Sequence, residues 1–418
     1  MAYELFTQEG FGTHIKMGSG YFDVFSNDYT GKSLRECNSD KKKMISVSSG
    51  QNIQVSSMIK GLRDAERETH IADVQSLARL RLPVIDSDLM EVLDECRYAI
   101  VDDVTFNLAH TKYSAIIELI DTKEVFAKEH EHVCALVEDC KNLDVVYVLN
   151  ISRDNLVKLP NKIKQAIDWF AIQRKLTKQI PSGKFSVVLS NEACGTLFHE
   201  IVGHQFELSS SHSIHSPNNY PDGYKLFSEK INVYDKPFEL TTPHDYDDEG
   251  TKCRQTHLLA NGRIVTPLTD KRSIVSFPEY NLTGNARRES FLNYPCTRFF
   301  RISVGKGTST FRQAVSDIEY GIYIDHVSAA RFFYLEDRVT LNASKSYVIR
   351  KGVVTDEPMS CFVDDKISSF FFPRHVCNEV SISPGFCNSS SGYLYVEHES
   401  PIMSFDNINV KDVLTYET

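Results

Sequence analysis

Residues 198–207, Phe198-His199-Glu200-Ile201-Val202-Gly203-His204-Gln205-Phe206-Glu207, place two imidazoles and a carboxylate within six residues. Neutral imidazole is a common zinc ligand, and a glutamate beside an activated water is suited to act as general base. The familiar metalloprotease pattern spaces its histidines four apart, on one helix face. Here the spacing is five. In a regular α-helix at about 100° per residue, that sets the rings about 140° apart, too wide for one ion. A single π-type turn would close the gap to about 50°. Gly203, just before the second histidine, eases a distortion or a close backbone approach. The spacing predicts either a distorted turn between His199 and His204 or two unrelated helix histidines.

The elements that must position these groups can be read outward from them. An apolar run, Phe185 to Leu189, ends in Ser190-Asn191, both good helix N-caps. A helix is expected over 191–207. Beyond it come short β-rich runs split by turn residues: 256–260 before Asn261-Gly262, 345–350 before Lys351-Gly352, and 393–397. Pro181-Ser182-Gly183 is the best boundary signal in the chain. Before it the pattern is mixed. Strands are expected at 45–48, 53–56, 113–121 and 144–150, and helices at 61–81, 86–99, 125–139 and 155–178. The fold class expected is α+β: an N-terminal α/β domain (1–180), then a β-rich catalytic domain (181–418) carrying the metal-binding helix.

Composition excludes several classes. The chain has 418 residues, too many for one ordinary domain. With 46 basic against 56 acidic residues its net charge is −10, and it lacks the clustered cations of a nucleic-acid binder. Lys41-Lys42-Lys43 reads as a solvated loop. No run reaches the roughly 18–20 apolar residues of a membrane helix. The first residues carry no basic or apolar leader pattern, so no signal peptide is expected. Ten scattered cysteines with no CxxC pair suggest reduced thiols and a cytoplasmic location. From the residues alone, Cys361, Cys377 and Cys387 are equally open as a third metal ligand. Gly305-Lys306-Gly307 lacks the spacing of a phosphate loop and reads as a turn.

The stretch Ala193-Cys194-Gly195-Thr196-Leu197-Phe198 with the following His-Glu-x-x-x-His resembles the signature of the TldD/PmbA (TldD/TldE) family of metallopeptidases. The likeness runs on in order from about 181 to 412. It includes Asp247-Asp248-Glu249-Gly250, Asn261-Gly262-Arg263-Ile264, the specific run Leu282-Thr283-Gly284-Asn285-Ala286-Arg287-Arg288-Glu289-Ser290, Ile318-Glu319-Tyr320-Gly321-Ile322-Tyr323, and Gly385-Phe386-Cys387. The first ~180 residues match loosely. The resemblance implies that His199, His204 and Cys387 ligate one Zn²⁺ per chain and that Glu200 activates water. After Cys387 this chain departs from the family: Asn388-Ser389-Ser390-Ser391-Gly392-Tyr393 replaces a glycine-rich, apolar stretch.

Supporting residues keep two readings each. Glu207 is either a partner fixing the tautomer of an imidazole or a solvated helix-end residue. Arg287 and Arg288 either hold a substrate carboxylate or oxyanion, or pair with Asp248, Glu249 or Glu289. His212 and His215 are taken as loop residues rather than ligands. The function expected by resemblance is a peptidase for unfolded or short peptides, paired as a homodimer or with a TldE-type subunit, with the trimming of a peptide natural product as a narrower reading. The alternatives are a non-catalytic, peptide-binding dimer partner and an amide hydrolase for a small metabolite.

Overall fold

The computed structural model describes residues 2–18, 21–37, 43–48, 54–64, 69–70, 79–80, 104–139, 146–150, 159–176, 182–209, 216–238, 245–333 and 335–411. The N-terminal part is an antiparallel sheet built from long strands: β1 (Ala2–Gly18), β2 (Tyr21–Cys37), β3 (Met44–Ser48), β4 (Val104–Leu119), β5 (Glu124–Asp139) and β6 (Val146–Asn150). Their order is β3-β2-β1-β4-β5-β6, with two short strands, Thr69–His70 and Arg79–Leu80, added to β3 and β2. Both faces are covered near the start of β1. Tyr3 and Leu5 pack with Met58 of helix α1 (Val55–Asp64). Phe6 faces the other way and packs with Phe291 of the C-terminal half. Helix α2 (Leu159–Gln173) buries Ile163, Trp169 and Phe170, and Arg174 just beyond it pairs with Asp139 at 2.6 Å.

Some expected elements change. Segment 125–139, expected as a helix, is strand β5. Its partner β4 matches it residue for residue, and burial alternates from Ala135 to Asp139 with the period of two that a strand imposes. Val55 and Ser56, expected in a strand, open α1. Of the helix expected over 61–81, residues 61–64 end α1, while 69–70 and 79–80 are strand. Its other residues, and the helix expected over 86–99, lie outside the described residues. Of the helix expected over 155–178, Leu159–Gln173 form α2, and 155–158, 177 and 178 lie outside the described residues.

The C-terminal half is an eleven-stranded sheet. Five of its strands close into a ring: β7 (Gly183–Leu189), β11 (Tyr320–His326), β13 (Arg338–Arg350), β14 (Val353–Asp365) and β16 (Gly392–Lys411), which pairs back onto β7. β8 (Val233–Lys236), β9 (Thr256–Ala260) and β10 (Arg301–Val304) extend it beyond β16. β12 (Ala329–Phe333) pairs with β13, and β15 (His375–Ser389) with β16. Asn261-Gly262 and Lys351-Gly352 form turns with positive φ at all four residues, as expected. Helix α3 (Asn191–Phe198) lies in the largest apolar core, with Leu197 and Phe198 fully buried. No helix among the described residues is long and apolar enough to cross a membrane.

Candidate metal centre

Ser190 starts α3. Its hydroxyl accepts the Ala193 N–H at 3.1 Å and donates to the Asp325 carbonyl at 2.6 Å, tying the helix to β11. The rod then changes pitch. His199–Gly203 form a π turn, in which the His204 N–H donates to the His199 carbonyl five residues back. One last α turn, His204–Phe206, follows. Ile201 and Val202 go to the core. The opposite face, Glu192, Thr196, His199, Glu200 and His204, lines a cavity of about 480 Å³.

The π turn does what the five-residue spacing requires. The Nε2 atoms of His199 and His204 stand 3.2 Å apart. Cys387, near the end of β15, brings its Sγ to 3.2 Å from His204 Nε2. The three donor atoms all lie within 4.8 Å of one another. Two nitrogens bound at about 2.05 Å to a tetrahedral zinc stand about 3.3 Å apart, so the donor set fits that ion. Gly203 itself is ordinary right-handed helix, with φ −49° and ψ −64°. It is needed for proximity: a Cβ there would lie 2.7 Å from the Phe299 ring. That ring packs edge-on against His199, at 4.8 Å between centroids.

Electrostatics separate the two imidazoles. Burial, with His204 and His398 nearby, holds the His199 pKa well below the usual histidine value. Burial also opposes a charged His204, but the neighbouring Cys387 and Glu207 outweigh it and hold that pKa well above the usual histidine value. Glu200 Oε1 is 4.0 Å from His199 Nε2. Burial, then Glu207, raises the Glu200 pKa, while His204 and the Phe332 N–H pull the other way.

Glu207 is buried, and its Oε2 accepts from His204 Nδ1 at 3.1 Å. Arg287 and Arg288 are drawn elsewhere. Arg287 donates to the carbonyls of Phe299 and Tyr395. Arg288 pairs with Glu4 at 2.7 Å and donates to Ser33 and the Asp248 carbonyl. Neither lines the cavity. The polar segment after Cys387 forms the β15–β16 turn, where Arg298 donates to Ser391 Oγ at 3.2 Å and Glu289 accepts the Tyr393 N–H at 3.0 Å. His212 and His215 lie outside the described residues.

Two residues escaped the sequence reading. Arg298 is fully buried, donates to the Cys387 carbonyl at 2.9 Å, and lies 3.4 Å from Glu207, so it ties the helix end to the hairpin. His398, on β16, places its Nε2 2.8 Å from His199 Nδ1. Neither stands near the histidine motif in the chain. The signal available was indirect: Gly195 and Gly385, both close to expected site residues, leave the space that the His398 side chain fills.

The family model for the PmbA/TldA metallopeptidase C-terminal domain matches residues 182–411. The chain belongs to the TldD/PmbA family. Among its TldD/PmbA relatives, a metalloprotease of Methanocaldococcus jannaschii is 26% identical over 238 residues, which is 56% of this chain and 51% of that protein. A zinc metalloprotease TldD homolog of Saccharolobus solfataricus is 23% identical over 257 residues, 57% of this chain and 55% of that one. The chain thus spans about half the length of the curated relatives it matches. TldE from Thermococcus kodakarensis shares the fold, with a TM-score of 0.72 at 15% identity over 98% of this chain and 96% of that one.

Proposed function

We propose that this chain is the active subunit of a zinc peptidase acting on unfolded or short peptides. It would work in the cytoplasm, as a homodimer or beside a TldE-type subunit. The carrying observation is the convergence of His199 Nε2, His204 Nε2 and Cys387 Sγ at a cavity that Glu200 also lines. These three atoms would hold the metal, one ion per chain. Two imidazoles and a thiolate suit zinc better than magnesium or calcium. A bound zinc supplies Lewis acidity for the scissile carbonyl and for water. Glu200 takes a proton from water on its carboxylate and passes it to the leaving amine. Its raised pKa brings it closer to the working pH of such a base. Glu207 keeps the His204 proton on Nδ1, leaving Nε2 free to ligate.

The cavity also suits an extended chain. Residues 327–332 and 384–388 line it as two continuous runs, and among the described residues the strand partner of β12 is β13. A peptide can add there as a further strand, held by backbone bonds that ignore its sequence. Cys37, Cys194, Cys253, Cys296, Cys361, Cys377 and Cys387 are free thiols, which fits a reducing compartment.

The test pairs metal analysis with hydrolysis of a peptide mixture. Glu200→Gln should keep about one zinc per chain while turnover falls about 10²–10⁴-fold. Unchanged turnover in that variant rejects the mechanism, and an absence of zinc in the wild type rejects the metal. Light scattering of the purified chain reads its oligomeric state.

A further inference from the structure

We infer that His398 is a positioning residue that holds His199 in its metal-ligating tautomer by accepting the His199 Nδ1 proton. The inference rests on the proposal that His199, His204 and Cys387 bind zinc.

A neutral imidazole carries one N–H and one lone pair. The atom of His199 that faces His204 is Nε2, at 3.2 Å. For that atom to offer its lone pair, the proton must sit on Nδ1. Nδ1 is 2.8 Å from His398 Nε2, so that nitrogen must accept. His398 then carries its own proton on Nδ1. If His398 instead donated from Nε2, the His199 proton would move to its own Nε2 and block the metal.

The slot around His398 fixes this geometry. A Cβ on Gly195 would lie 2.6 Å from His398 Cβ, and one on Gly385 would lie 2.7 Å from its Cε1. One glycine belongs to the helix that carries His199 and the other to the strand that carries Cys387. His398 is 5% exposed and borders the cavity at its edge toward His199. His204 has a different arrangement. Its Nδ1 faces the Glu207 carboxylate at 3.1 Å, and an ionised carboxylate can only accept. The tautomer of His204 is thus enforced by charge, and that of His199 by the choice His398 makes.

The test measures zinc affinity of the whole chain by competition with a chromogenic chelator, with apo-protein melting as a check of folding. His398→Leu, which keeps bulk and removes the acceptor, should weaken zinc about 10–100-fold. His398→Gln, whose Oε1 can accept at the same place, should return affinity to within about threefold of wild type. Zinc bound as tightly by the Leu variant as by wild type overturns the inference, as does a Gln variant as weak as Leu. A wild-type reading covers the case where variants fail to fold. Long-range ¹H–¹⁵N spectra of the zinc-loaded chain should show both His199 and His398 protonated on Nδ1. A His398 proton on Nε2 overturns the inference. A wild type that takes up no zinc removes the ligand proposal and this one with it, whereas normal wild-type zinc with an indifferent Leu variant removes this one alone.

Discussion

Two buried polar regions of this molecule resolve burial in different ways. At the junction between the N-terminal sheet and the C-terminal half, Arg35 meets Glu4 at 2.7 Å and Glu249 at 2.6 Å, Arg288 meets Glu4 at 2.7 Å, and Lys128 pairs with Asp248. Each buried charge there faces an opposite charge from the same chain. At the candidate metal centre, the donor atoms of His199, His204 and Cys387 face one another within 4.8 Å, and no opposite charge of the kind seen at the junction stands among these three. Burying a charge without a partner is costly. The junction satisfies that demand internally, so it is structural. The centre turns three donor atoms toward one point, so it is suited to a divalent ion. The comparison also explains Arg288: its motif serves the docking of the N-terminal sheet.

The largest test of this contrast is Arg35→Met. It leaves Glu249 and part of Glu4 uncompensated, and should cost about 3–5 kcal/mol in urea unfolding, with zinc affinity within about threefold. A parallel loss of zinc would show that the two regions are not independent.

Acid should act on the junction next. Burial opposes ionisation of Glu4, but Arg35, Arg288 and Lys271 pull its pKa from 4.5 down to about 2. A depressed acid contributes stability that is fully present above its unfolded pKa and is lost as pH falls through the folded one. About 3 kcal/mol should therefore disappear between about pH 4.5 and 2. Urea midpoints across that window, compared with Glu4→Gln, check it; the variant should lack this limb.

Cys387→Ser probes the other region. It should weaken zinc about a hundredfold, since a hydroxyl is a poor substitute for thiolate, while changing apo stability by less than about 1 kcal/mol. A large loss of stability in the metal-free variant would make the thiol structural instead. Gly203→Ala should cost about 1–2 kcal/mol of stability, as its new methyl pushes on Phe299. Because Phe299 packs on His199, zinc affinity should fall with it. Intact affinity would show that the π turn holds without that ring.

The sequence by itself determined the local parts of the site. The five-residue spacing of His199 and His204 allowed a shared site only through a distorted turn, and His199–Gly203 form one. Ser190 marked the helix start, and Asn261-Gly262 and Lys351-Gly352 marked turns. These features depend on caps, φ preferences and helical phase, all of which act over a few residues. Elements decided by pairing were less legible. Segment 125–139 carries apolar residues compatible with a helix, yet it forms a strand because β4 lies alongside it along its whole length. Only the tertiary structure decided what surrounds the donors. His398 is 199 positions from His199 and reaches it because α3 packs against β16 while two glycines leave room. Arg298 joins Glu207 to the Cys387 carbonyl in the same way, and the buried charges of the junction retain Arg288. Spacing along a chain sets which way neighbouring side chains point. Long-range strand pairing and close packing set which distant side chains they meet, and no local pattern carries that information.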